Sequence, residues 1–279
     1  MPDGAGSIDD AVVAAIQAQE EAGLEPLTDG RLRDRALVAG AADVVGVWAF
    51  AQSSTDRAVK QTVPGPYSVG NGRADAVRRA AGHLHDVVRE LAAAGCPLIE
   101  VEETEAYRIG ADESARALFR EAHERLADGI EGVHLSLSII GGAADTAGIE
   151  TILAAPYASL ALDLIGGPDN WNLATGAPRD RGIVVGALSA GAQPEPKEVL
   201  LWGAHYAAST GGRGIDRVGL GSAGSWAGLS WDEAVRRMRA LGEAARLAAM
   251  PPSEELRRSV DAKSVSARRA GLGHGPRRR

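Results

Sequence analysis

The chain has 279 residues, a net charge of −7 and 45% apolar residues, enough to bury one large core. Charges interrupt every apolar stretch before the roughly 20 residues a membrane helix needs, so no membrane span is expected, and with no secretory pattern the expected address is the cytoplasm. Cys96 is the single cysteine, which excludes an intramolecular disulfide, a zinc ribbon and an iron–sulfur cluster built by this chain alone.

Charge is uneven. Residues 261–279 carry six Lys and Arg against Asp261, a local +5, which leaves −12 for residues 1–260. A body of that sign repels nucleic acid, and no nucleic-acid partner is expected. The basic stretch has few large apolar residues, so residues 251–279 are expected to be a disordered, solvated tail behind one domain of residues 1–250.

In chain order, Ser7 and Asp10 make a capping pattern ahead of apolar positions Ile8, Val12, Ala15 and Ile16, which recur at helical spacing until Gly23. A short extended piece at 26–28 ends in the turn Asp29, Gly30, Arg31, and a second helical stretch carries Arg33 and Arg35. Strand then helix recurs at 58–63 and 74–94, at 97–102 and 112–128, and at 132–140 and 146–153. Further strands are predicted at 159–164, 183–188 and 216–220, the last before a periodic helix over 231–248. Apolar strands alternating with helices imply a parallel sheet wrapped by helices, and seven such strands fit a (β/α)8 TIM-type barrel best. A doubly wound open sheet is second, without a G-x-G-x-x-G or a phosphate-loop motif to support it. The count is one strand short, and the chain opens on the helix that would follow the first strand.

The motif order resembles the catalytic domain of cobalamin-independent methionine synthase, in the superfamily that includes uroporphyrinogen decarboxylase. The residues that carry it are Gln19, Gly23, Leu24, Thr28, Asp29, Gly30, Arg31 and Arg33; then Lys60, Gly65, Pro66, Tyr67 and Ser68; then Ala94, Gly95, Cys96, Ile99, Glu100, Val101, Glu102 and Glu103. The resemblance implies a zinc ion held by a His-x-Cys pair, a Glu and a distant Cys. Here those positions fall on His134, Ser136, Asp163 and Ser222, so both thiolates are gone and neither zinc nor any other cofactor is expected. The substrate-gripping Glu of the family's turn falls on Arg31, whose planar donor fork suits an anionic group. The family's His near the seventh strand has no counterpart around Ser189 to Gly191, and its first strand, with the loop that contacts substrate, has none in this chain.

The expected catalytic residues are therefore His134, Asp163 and Glu102, working by acid–base chemistry at the barrel mouth. Arg31, Ser136, Ser222, Asn170 and Trp171 are expected to bind substrate, the last two from the turn-rich stretch 166–172. Gly219 to Gly224, after the last strand, form a glycine-rich end that could cradle a phosphate, and Cys96 is expected to be a buried strand residue. The leading expectation is a transferase or lyase acting on a small anionic substrate, for which the resemblance implies a thiol or thioether. The alternative is a non-catalytic or partner-dependent subunit whose other chain completes the barrel and carries the metal, since an open strand edge invites pairing. Either way a homo- or hetero-oligomer is expected.

Overall fold

The computed structural model describes residues 6–33, 43–191 and 194–260. Helix α1 (Ile8–Glu21) starts where Ser7 Oγ accepts the Asp10 N–H, and Asp43 and Asp112 cap α2 (Val44–Ser53) and α5 (Glu113–Ala127) in the same way. The remaining elements are β1 (Gln61–Pro64), α3 (Pro66–Val69), α4 (Ala74–Ala93), β2 (Leu98–Glu103), β3 (His134–Ile139), α6 (Ile149–Ile152), β4 (Ser159–Asp163), α7 (Trp171–Gly176), β5 (Gly182–Leu188), α8 (Lys197–Ser209), β6 (Val218–Ser222), α9 (Trp231–Ala248) and α10 (Glu254–Val260).

The six strands form one parallel sheet in sequence order, β1-β2-β3-β4-β5-β6. Leu27 adds a parallel bridge to Val59 beyond β1: its N–H reaches Ala58 O and its carbonyl accepts from Lys60 N. The predicted first strand is thus a single bridge. The last two predicted strands shift by a residue or two, and α8 lies in a stretch for which no helix was predicted.

Most of the helices follow one another around one side of the sheet. α1 packs on α2, α2 on α4, α4 on α5, α5 on α6 and α8 on α9, and α9 returns to α1. Gly176 of α7 lies against Ile149 of α6, while Trp171 of α7 meets Trp202 and Tyr206 of α8, so the outer ring has no break. The closing contact is tight: a Cβ on Gly242 of α9 would lie 1.8 Å from the Ala22 carbonyl oxygen, so only glycine fits there. The strands close less completely. Among the described residues no ladder joins β6 to Leu27, and β6 is partly exposed along its length whereas β4 is buried throughout.

Alternation along each strand sorts the side chains. Ile99, Val101, Leu135, Leu137, Ile139, Leu160, Leu162, Ile183 and Val185 are buried in the core, and this is the helix-facing set, as Val185 against Gly203 of α8 demonstrates. The opposite set faces inward: Thr62, Glu100 and Glu102, then Ser136, Ser138, Ser159, Ala161 and Asp163, then Gly182, Val184, Gly186, Gly219 and Gly221.

The helix layer continues past residue 250, because α10 packs on α8 and Val260 is buried against Tyr206. Residues 261–279, the basic end, lie outside the described residues. So do 34–42, which hold most of the predicted second helix; Arg33, its first arginine, sits in a turn instead.

Candidate functional site

A parallel sheet places all strand C-termini at one end, where the loops leaving β1 to β6 meet. Glu102 stands there, next to last on β2. Its carboxylate receives both arms of the Arg31 guanidinium, at 2.6 and 3.0 Å, which makes a fork-to-fork pair. Arg31 adopts φ +56 in the turn that follows Leu27, and its backbone N–H is held by Asp29 Oδ1 at 2.7 Å. A non-glycine residue in that region is strained, and here the turn aims the guanidinium at β2. The expected anion clamp is therefore already engaged: Arg31 meets Glu102, and the two together present a neutral, two-pronged surface. Glu100, one inward position below, is likewise paired, with Lys60 Nζ at 2.8 Å.

Asp163 ends β4 and is nearly buried. Its Oδ1 accepts from the Ile165 and Gly166 N–H groups at 3.0 and 2.7 Å, so the carboxylate caps its own loop. Ser222 ends β6 at the same end of the sheet, exposed, but it pairs with Leu188 and alternates with Gly221, so it shares the helix side with Leu220. The loop after β5 is braced there too: Ser189 donates its N–H and hydroxyl to Glu195, and Arg237 of α9 donates to the Ser189 and Gly191 carbonyls. Burial pushes the Glu195 carboxyl up, but the Ser189 bonds outweigh it, and the group lies below its ordinary pKa.

Several expected site residues are elsewhere. His134 is the first residue of β3, paired with Leu98 at the start of β2, which puts it at the floor of the sheet rather than the mouth. A parallel strand cannot reverse that placement without reversing the chain. Its Nε2 contacts Ser159 Oγ at 2.8 Å, and burial lowers its pKa. Ser136 lies in mid-strand, two residues below Ser138, with its hydroxyl buried. Asn170 is fully buried and spent on backbone: Oδ1 accepts from Ala144 N, and Nδ2 donates to the Asp163 and Gly142 carbonyls. It fastens the loop after β3 to the loop after β4. Trp171 packs edge-on against Trp202 and Tyr206 between α7 and α8, and so serves the helix layer.

The residue pattern reasoning overlooked is Glu103, fully buried on the helix side of β2. Its carboxylate accepts the Tyr67 and Ser68 N–H groups at 2.9 and 2.8 Å, the Ser68 hydroxyl, and His123 Nε2 at 3.0 Å. His123 Nδ1 contacts the Tyr157 hydroxyl at 2.6 Å. Burial, with Glu103 second, raises the Tyr157 pKa well above its ordinary value, so the phenol stays protonated. The Glu103 carboxylate only accepts, so the imidazole faces it with Nε2–H and leaves Nδ1 for the Tyr157 hydroxyl. Ser68 Oγ passes the order on by accepting from Thr104 N and Glu105 N, so the loops after β1 and β2 are sewn together beside Glu102. The signal was the alternation itself, since a carboxylate two residues after Val101 must face the helices.

The donor set does not fit a thiolate zinc centre. Cys96 precedes β2 at the floor end, buried, with its thiol pushed up to about 11 by burial. Among the described residues no three His, Cys, Asp or Glu side chains lie close enough to share a metal.

No protein-family description matches the sequence, and no curated protein matches it. Solved structures do match the fold. A B12-independent methionine synthase from a Shewanella species, in complex with selenomethionine, superposes with a TM-score of 0.74 at 15% identity over 87% of each chain. A Listeria monocytogenes protein assigned as a vitamin-B12-independent methionine synthase gives 0.70 at 14% identity, covering 88% of this chain and 87% of that one. A methyltransferase from Methanosarcina mazei gives 0.59 at 14% identity, over 89% and 88%. This chain shares their fold.

Proposed function

We propose that this chain is a methionine-synthase-like enzyme that transfers a methyl or alkyl group to or from a small charged substrate, without a thiolate zinc centre. The observation that carries the reading is the Arg31–Glu102 pair at the strand C-termini of a fold shared with the Shewanella synthase. An amino acid offers a carboxylate and an ammonium, and a paired guanidinium and carboxylate can exchange their mutual bonds for those two groups at little electrostatic cost. Asp163 and Ser222, at the C-terminal ends of β4 and β6, are the groups proposed for proton handling and for hydrogen bonding to substrate. His134, Asn170 and Trp171 have no part in it, because of where they lie. The same reading takes the space between β6 and Leu27 as the place of an eighth strand.

The test is calorimetric titration with selenomethionine, the ligand of the Shewanella complex. Saturable binding that weakens at least tenfold in both Arg31→Ala and Glu102→Gln supports the proposal. Binding indifferent to both substitutions, or no binding by the folded protein, overturns it.

The exposed length of β6 favours a second reading, a subunit whose partner supplies the strand beside it. Light scattering together with a pull-down of a stoichiometric second chain separates the two readings.

A further inference from the structure

The inner face of the sheet is the wrong composition for a packed barrel core. Such cores are filled by layers of branched apolar side chains. Here one layer, fixed by the strand register, reads Thr62, Glu100, Ser136, Ser159, Gly182, and the level below it contributes Leu98 and His134, with Lys60 reaching Glu100 from beside them. Thr62, Ser136, Ser159 and Gly182 are short for a barrel interior, and all but one of these four carry a hydroxyl. Ser136 Oγ is buried and makes no hydrogen bond to protein, a state that ordinarily costs free energy unless a solvent molecule relieves it. Glu100, its register partner, and Lys60 retain 12% and 23% side-chain exposure, so this side of the layer borders solvent although Ser136 itself is buried.

The charges decide what occupies that space. Lys60 and Glu100 cancel each other at 2.8 Å. Neither an anion nor a cation gains there, because each would meet a like charge within the pair. Three hydroxyls, an ammonium, a carboxylate and an imidazole offer donors and acceptors mixed at short spacing, which suits water.

We propose that the inner face holds a file of ordered water molecules anchored on Ser136 Oγ, running from His134 and Ser159 at the floor to Ser138 and Glu102 below the mouth. The file joins the mouth to bulk solvent from beneath. It stands independently of the reaction proposed above.

Two measurements test it. Water relaxation dispersion on the intact protein should detect long-lived internal waters, and Ser136→Val, which fills the anchor point with methyl groups, should reduce their number. Thermal unfolding of Ser136→Ala supplies a sign. A hydroxyl that anchors water stabilises the fold, so its removal should lower Tm by about 2–4 °C. A dry, orphaned hydroxyl is a burden, and its removal should raise Tm. A raised Tm, or a wild-type protein with no long-lived internal water, overturns the proposal.

Discussion

Replacing Glu103 by glutamine tests the most consequential contact set in the fold. The carboxylate takes four donors, from Tyr67 N, Ser68 N, Ser68 Oγ and His123 Nε2, with no exposure to solvent. An amide of the same shape keeps one oxygen, able to accept two of them, and turns its NH2 toward the other two. Two charge-assisted bonds are then lost, each contributing about 1.5–3 kcal/mol, so the expected destabilisation is about 3–6 kcal/mol before relaxation. Against a domain stability of about 5–15 kcal/mol that is a large fraction. The assay is urea unfolding followed by far-ultraviolet circular dichroism at pH 7, comparing midpoints at constant slope. Tyr157→Phe provides scale: it removes only the outer hydroxyl of the chain and leaves His123 Nδ1 without its donor, for about 1–3 kcal/mol. A Glu103→Gln loss below about 1 kcal/mol, or one smaller than that of Tyr157→Phe, would refute the reasoning that this carboxylate organises the loops beside Glu102.

Gly242→Ala should undock α1 from α9, since its methyl would lie 1.8 Å from the Ala22 oxygen; amide hydrogen exchange should quicken in α1 while β3 and β4 stay protected. Cys96, buried with its thiol pushed up to about 11, should resist a thiol reagent at pH 8 in the native protein and react at once in 6 M guanidinium. His134 and His205 are both held below the ordinary imidazole pKa by burial, so the unfolded chain takes up protons first as pH falls. Their contribution is full above about pH 6.5 and is lost on acidification toward the depressed values, and the urea midpoint of His134→Gln should fall less between pH 7 and 5.5 than that of the wild type.

Much of this architecture was legible locally. The 231–248 periodicity gave α9 to the residue, the Ser7 cap marked the start of α1, and the apolar, Leu-rich runs of β3 and β4 marked strands of a parallel sheet covered by helices. Even the position of His134 followed from the predicted strand 132–140. Parallel strands share one direction, and a residue near the start of such a strand belongs to the floor. Motif matching placed it at the mouth because a His-x-Cys pattern, here His134 and Ser136, carries no information about its distance from the strand's end.

Other features had no local trace. Arg31 and Glu102 are 71 residues apart, and only the packing of the Leu27 bridge beyond β1 turns one toward the other. Asn170 sat in a loop that composition marks as exposed, yet it is fully buried because two neighbouring loops needed their backbone groups satisfied. Ser136 and Glu100 look alike in sequence as polar residues in strands, and the register alone makes them neighbours on an inner face. Periodicity and capping depend on residues within a few positions of one another, so the sequence by itself determined the elements and their buried sides. Which charge meets which, and which hydroxyl is left for water, depends on contacts across 20 to 71 residues that exist only once the helix ring has closed.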